Sequence, residues 1–141
     1  MIGIDTNIIL NVLRKDDPII QKKHSLEFFK YIETKDIKLA VSIITLTELF
    51  RKPYTNKSSH EREIVDSFLH VIDAQPISIG SEAAIEAARL IGEHNIGFAD
   101  ALIAASVRFA GIKTFITRNI SDYKHTGLEV LTPEQYLEKY E

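Results

Sequence analysis

Short apolar runs alternate along this chain with longer stretches in which apolar residues recur three and four positions apart. The short runs are residues 2–5, 38–42, 114–117 and 128–131, and residues 76–79 form a further candidate. Brief apolar runs bounded by turn residues suit strands covered on both faces. The helical patterns fill the gaps. Residues 6–14 form the first. Residues 19–34 carry Leu26, Phe29 and Ile32 at helical spacing. Residues 43–51 follow Ser42, a suitable N-cap. Residues 60–73 place Ile64, Phe68, Val71 and Ile72 on one stripe. Residues 81–94 start at a Ser N-cap. Residues 98–110 are almost wholly apolar and stop at Gly111, a good C′ residue. Pro133 suits the first position of a last helix capped by Thr132. The polar segment 52–60 (KPYTNKSSH) reads as a loop between two helices, either a plain connector or one rim of a groove.

Strands that alternate with helices predict an α/β fold: a mainly parallel sheet of four or five strands flanked by helices. In such sheets sites form outside the carboxyl ends of the strands. The 141-residue length favours one domain over residues 1–141. The absence of cysteine excludes disulfides, zinc ribbons, iron–sulfur clusters and thiol nucleophiles. The first residues lack a signal-peptide pattern. No apolar run reaches a membrane span, because the best candidate, residues 98–109, is short and contains Asp100 and Arg108. A soluble, cytoplasmic protein is expected. The formal net charge of −3 does not point to a simple nucleic-acid binder, but it leaves room for an acid cluster set among basic patches.

Acids fall where a site would form. Asp5 closes the first strand. Glu48 lies about one and a half turns into the helix after the second. Asp100 sits in the first turn of the apolar helix before the third, and Asp122 follows that strand by five residues. Each has an ordinary reading: Asp5 as a helix N-cap, Glu48 as a solvated helix residue, Asp100 as an acid favoured by the helix dipole, Asp122 as a turn residue. Together they read differently. Clustered carboxylates repel one another unless a cation joins them. A hard divalent ion takes oxygen ligands, and it can activate water and steady charge on a phosphate. The placement therefore suits metal-assisted phosphodiester hydrolysis.

Four stretches carry a family resemblance: the strand ending in DTN (Asp5, Thr6, Asn7), SIITLTEL with Glu48, FADALIAAS with Asp100, and TFITRNISDY from Thr114 to Tyr123. In order and spacing the chain resembles the PIN-domain ribonucleases, in particular the VapC-like toxins of toxin–antitoxin pairs, over nearly its whole length. The resemblance implies a PIN-like three-layer fold and RNA cleavage dependent on Mg²⁺, with Mn²⁺ as a substitute. It maps the main metal-binding acids onto Asp5, Glu48 and Asp100. It also implies a homodimer and a cognate antitoxin that blocks the site. One position departs from the pattern: where many PIN domains carry a fourth acid, this chain has Asn119, and Asp122 lies three residues on. Either can complete the site. Thr6 and Thr117 are expected to hydrogen-bond the carboxylates.

The remaining motifs are weaker. Residues 92–98 (GEHNIGF) have two glycines at P-loop separation but lack the Lys and Ser/Thr that follow. The five histidines show no paired metal spacing and read as solvated. Arg118 adjoins the acids and, with Arg51 and Lys52, is expected to contact RNA phosphate. Two other classes compete. An RNA-binding module without catalysis draws on Asn119. A haloacid-dehalogenase-like phosphatase draws on Asp5, although Asn7 stands where that chemistry wants a second Asp.

Overall fold

The computed structural model describes residues 1–141. Its elements run β1 (Ile2–Ile4), α1 (Thr6–Leu13), α2 (Ile19–Thr34), β2 (Leu39–Ser42), α3 (Ile43–Thr55), α4 (Ser59–Val71), β3 (Ala74–Ile77), α5 (Ser81–His94), α6 (Phe98–Phe109), β4 (Thr114–Ile116), a 3₁₀ turn (Ile120–Tyr123), β5 (Glu129–Leu131) and α7 (Pro133–Tyr140). The five strands form one sheet in the order β3-β2-β1-β4-β5, and every pairing is parallel. No helix is long and apolar enough to cross a membrane.

Side-chain alternation along each strand builds a separate core on each face. Ile2, Ile4, Leu39, Val41 and Ile116 point into one core with α1, α2, α3, α4 and α7. Ala40 and Phe115 point into the other with α5 and α6. Gly3 belongs to this second face. A Cβ there would stand 2.9 Å from Val107 Cγ1 on α6 and 3.1 Å from Phe115 Cδ1. The missing side chain lets α6 lie directly on β1. Gly3→Ala is therefore expected to lower stability by about 1–3 kcal/mol through overpacking, read as a drop in melting temperature.

Chain order reverses in direction across the sheet between β1 and β4, so the switch point lies at their carboxyl ends. Both strands end in a residue whose side chain faces that edge: Asp5 after β1 and Thr117 after β4.

Several local expectations change. Segment 52–60 is mostly helix rather than loop. α3 continues through buried Pro53 to Thr55, and α4 begins at Ser59. The carbonyls left at the end of α3 are captured by amides of the tight turn, Asn56 on Lys52, Lys57 on Tyr54 and Ser58 on Pro53. Ser58 then caps α4. On α4 only Val65 is buried, while Ile64 and Val71 are exposed. This outer helix covers a narrow seam, so its apolar stripe is wider than its contact. On α2 the buried face is Ser25, Phe28, Phe29 and Ile32, and Leu26 faces out. Gly80, not Ser81, caps α5.

Candidate active site

Asp5 ends β1 and caps α1 in extended backbone, so its cap role and its site role coincide. Oδ1 accepts the Thr6 amide at 2.8 Å, and Oδ2 accepts the Thr117 hydroxyl at 2.7 Å, with Asn7 Nδ2 at 3.4 Å. The residue is 4% exposed. Burial lifts its carboxyl from the ordinary 3.8 to about 6, against the hydrogen bonds from Thr117 and Thr6, and the Asp100 charge lifts it further.

Glu48 lies half-buried on α3. Its Oε1 accepts the Thr6 hydroxyl at 2.6 Å, and that hydroxyl also meets Thr45 Oγ1 at 3.0 Å. Thr6 thus joins the start of α1 to α3 and fixes one Glu48 oxygen. Asp100 is half-buried in the first turn of α6, where Oδ1 accepts the Tyr123 hydroxyl at 3.1 Å. Burial, then the charges of Asp122 and Glu48, hold its carboxyl above the usual range, and the Tyr123 hydrogen bond works in the opposite direction.

The 3₁₀ turn supplies the next acid. Asp122 is exposed there, and its charge acts on Asp100. Asn119 braces the site through its main chain, since its amide donates to Thr117 Oγ1 at 3.0 Å while its side chain is exposed. Thr117, fully buried, relays this brace to Asp5.

Asp5, Glu48, Asp100 and Asp122 thus gather at the carboxyl edge, beside the switch point. No Lys, Arg or His forms an ion pair with any of them. No three acidic or histidine side chains close into a ready-made ligand cage. Mg²⁺ tolerates that looseness, because it keeps several waters and often takes only one or two carboxylates directly. The donors are all oxygen, their charges repel, and burial penalises two of them when ionised. This set fits a hard divalent cation.

Arg118 departs from the expectation of a phosphate contact. Its guanidinium turns away from the acids and donates to Asn11 Oδ1 at 3.0 Å, the Gln21 carbonyl at 2.9 Å, Ser25 Oγ at 3.2 Å and the Glu134 carboxylate. Its side chain is 11% exposed, and it ties α7 to α1 and α2. Only its amide reaches the site, donating to Asn7 Oδ1 at 3.2 Å. Arg118→Ala should leave the salt dependence of RNA binding unchanged. It should lower stability by about 1–3 kcal/mol, because buried Asn11 and Ser25 lose a donor. Arg51 and Lys52 remain exposed on α3.

Sequence reasoning missed three site residues. Asn7 and Thr45 sit inside the motifs DTN and TLTEL, two residues after Asp5 and three before Glu48, and a search for hydroxyls and amides near the acids would find them. Tyr123 carries no periodic signal, because it closes a short 3₁₀ turn in a polar stretch. It is nevertheless fully buried. Its hydroxyl donates to Asp100, and burial and the charges of Asp5 and Asp100 hold it firmly protonated.

A family model described as PIN domain matches residues 2–127. No curated protein sequence gives a significant match. Solved structures of similar fold include VapBC2 from Rickettsia felis bound to a promoter DNA fragment, at 23% identity and a TM-score of 0.72, with 94% of this chain and 98% of that chain covered. A toxin–antitoxin complex from Klebsiella pneumoniae follows at 22% identity and a TM-score of 0.69, with 94% and 98% covered. VapC20 from Mycobacterium tuberculosis, a sarcin-ricin-loop-cleaving toxin, aligns at 14% identity and a TM-score of 0.62, with 82% and 87% covered.

Proposed function

This chain belongs to the PIN domain family, and we propose that it is a Mg²⁺-dependent endoribonuclease, the toxin of a toxin–antitoxin pair. The observation that carries the reading is the group of acids at the switch point, Asp5, Glu48, Asp100 and Asp122, without a cationic partner. The likeness to toxin chains supports the biological role, and the RNA target of VapC20 supports the substrate class. A substrate of that kind places the protein in the cytoplasm.

Asp5 and Asp100 would hold the cation, with Glu48 and Asp122 as its further carboxylates. When bound, the ion supplies a lowered water pKa and charge stabilisation at the phosphate. The chain's own residues do the rest. Thr6 pins Glu48 Oε1, which leaves the other oxygen to take a proton from the attacking water. Thr117 and the Thr6 amide fix both oxygens of Asp5. We assign Asp122 the fourth charge that Asn119 lacks, because its charge acts on Asp100.

Two apolar faces suit partners. A groove of about 320 Å³ lined by Leu26, Phe29, Ile32, Phe68, Val71 and Ile72 lies between α2 and α4, at the sheet edge opposite the acids. Ile85 on α5 and Phe109 on α6 are exposed on the other side. The likeness to toxin–antitoxin complexes supports a cognate antitoxin that blocks the acids, and a second copy of the chain is the further partner proposed.

The test uses protein purified free of antitoxin and a mixed RNA pool. Cleavage with Mg²⁺ or Mn²⁺ that is lost in chelator and in Asp5→Asn supports the proposal. Folded, metal-supplied protein that cuts none of a varied set of RNAs overturns it.

A further inference from the structure

Tyr123 is the side chain that hydrogen-bonds Asp100, and its surroundings fix it in place. Its ring packs against Phe115 of β4 with centroids 4.8 Å apart. Its carbonyl accepts the Thr126 hydroxyl at 2.6 Å, which clamps the backbone that follows the 3₁₀ turn. The hydroxyl therefore sits where the core puts it. It donates to Asp100 Oδ1 at 3.1 Å and lies within reach of Asp5. Asp100 comes from α6, and no other side chain hydrogen-bonds it. A phenylalanine would fill the same volume against Phe115, so packing alone gives no reason for the oxygen.

We propose that the Tyr123 hydroxyl is a positioning group: by donating to Asp100, it sets the orientation in which that carboxylate joins Asp5 in binding the divalent cation. This rests on the metal-site reading above. A buried donor to a ligating carboxylate holds its rotamer and leaves the other oxygen directed at the ion, and loss of such a partner commonly weakens metal binding.

The test is Mn²⁺ titration of the intact, metal-free chain, with free Mn²⁺ followed by electron paramagnetic resonance. Tyr123→Phe keeps the ring and its volume, so it should fold, which far-UV circular dichroism and melting in chelator will check. Its Mn²⁺ affinity is expected to fall about tenfold or more. In an Asp100→Asn background the same substitution should have little further effect, because the hydroxyl acts through that carboxylate. Equal affinities of wild type and Tyr123→Phe overturn the proposal and leave the nuclease reading intact. A full loss that persists in the Asp100→Asn background also overturns it. A wild-type chain that binds no Mn²⁺ overturns both.

Discussion

Asp100→Asn is expected to reduce RNA cleavage by about 10³-fold or more at saturating Mg²⁺, since the chemistry draws several kcal/mol from the ion and each 1.36 kcal/mol is tenfold. The substitution is nearly isosteric, and the remaining side-chain oxygen still accepts the Tyr123 hydroxyl, so the fold should survive. What changes is charge. Asp100 is the member of the group that feels both Asp122 and Glu48, and its own charge acts on Asp5. It is thus the electrostatic centre of the cluster, and its neutralisation weakens the attraction of the whole group for a cation. The Asp5 carboxyl should then fall below its value of about 6, because one of the charges raising it is gone. Initial rates on a defined RNA, with trace-metal carry-over controlled, are the measurement. A folded Asp100→Asn chain with near-wild-type turnover would rule out the assigned role.

How much of this is legible in the sequence depends on the length scale of each signal. Four of the strand positions and the parallel sheet follow from apolar runs and their alternation with helices, which are local. β3 lies at Ala74–Ile77, two residues before the expected 76–79, because this partly exposed edge strand lacks a fully apolar run. The acids are legible because a charge inside an apolar run is costly without a partner. Asp5 in MIGIDTN and Asp100 in FADALIAAS advertise that cost in a few residues. Arg118 shows the limit. Its position beside Thr117 places its amide at the site, yet its side chain is drawn off by Asn11, Ser25 and Glu134 from three different helices. Nothing within several residues of Arg118 encodes that competition. Tyr123 fails for a related reason. A 3₁₀ turn has no amphipathic period long enough to read, and the residue is buried by Phe115 and α6 rather than by its sequence neighbours. The continuation of α3 through Pro53 is equally hidden, because the compensating amides come from the turn that follows. Contacts made by a segment with itself are visible; contacts decided by which helix arrives next to it are not.

The Asp5 carboxylate should make the metal-free protein less stable at neutral pH, and Asp5→Asn should therefore stabilise it there. The sign follows from the direction in which burial moves the pKa. The folded-state value of about 6 lies above the ordinary 3.8, so between them the folded chain binds more protons than the unfolded one. Stability from this group is present below the unfolded value and is lost as pH rises through about 6. At pH 7.5 the ionised, buried carboxylate costs roughly 3 kcal/mol at most, because raising a pKa by one corresponds to about 1.36 kcal/mol. That balance already includes the hydrogen bonds from Thr117 and Thr6. Asparagine sheds the charge but has a single acceptor oxygen, which can keep the Thr6 amide while its NH2 faces the Thr117 oxygen, so in chelator at pH 7.5 it should still unfold at higher urea than wild type. Near pH 4, where Asp5 is protonated in the folded chain, the difference should almost vanish. Added Mg²⁺ should reverse the order, because an ion that binds only the folded chain stabilises it in proportion to its occupancy, and the variant has lost a ligand. Urea unfolding of both chains, in chelator and in Mg²⁺ at the two pH values, measures all of this. A variant less stable than wild type in chelator at pH 7.5 would mean that Asp5 acts chiefly as a helix cap. The predicted reversal would mean that the fold tolerates an unfavourable charge at the end of β1 because a cation is its intended partner.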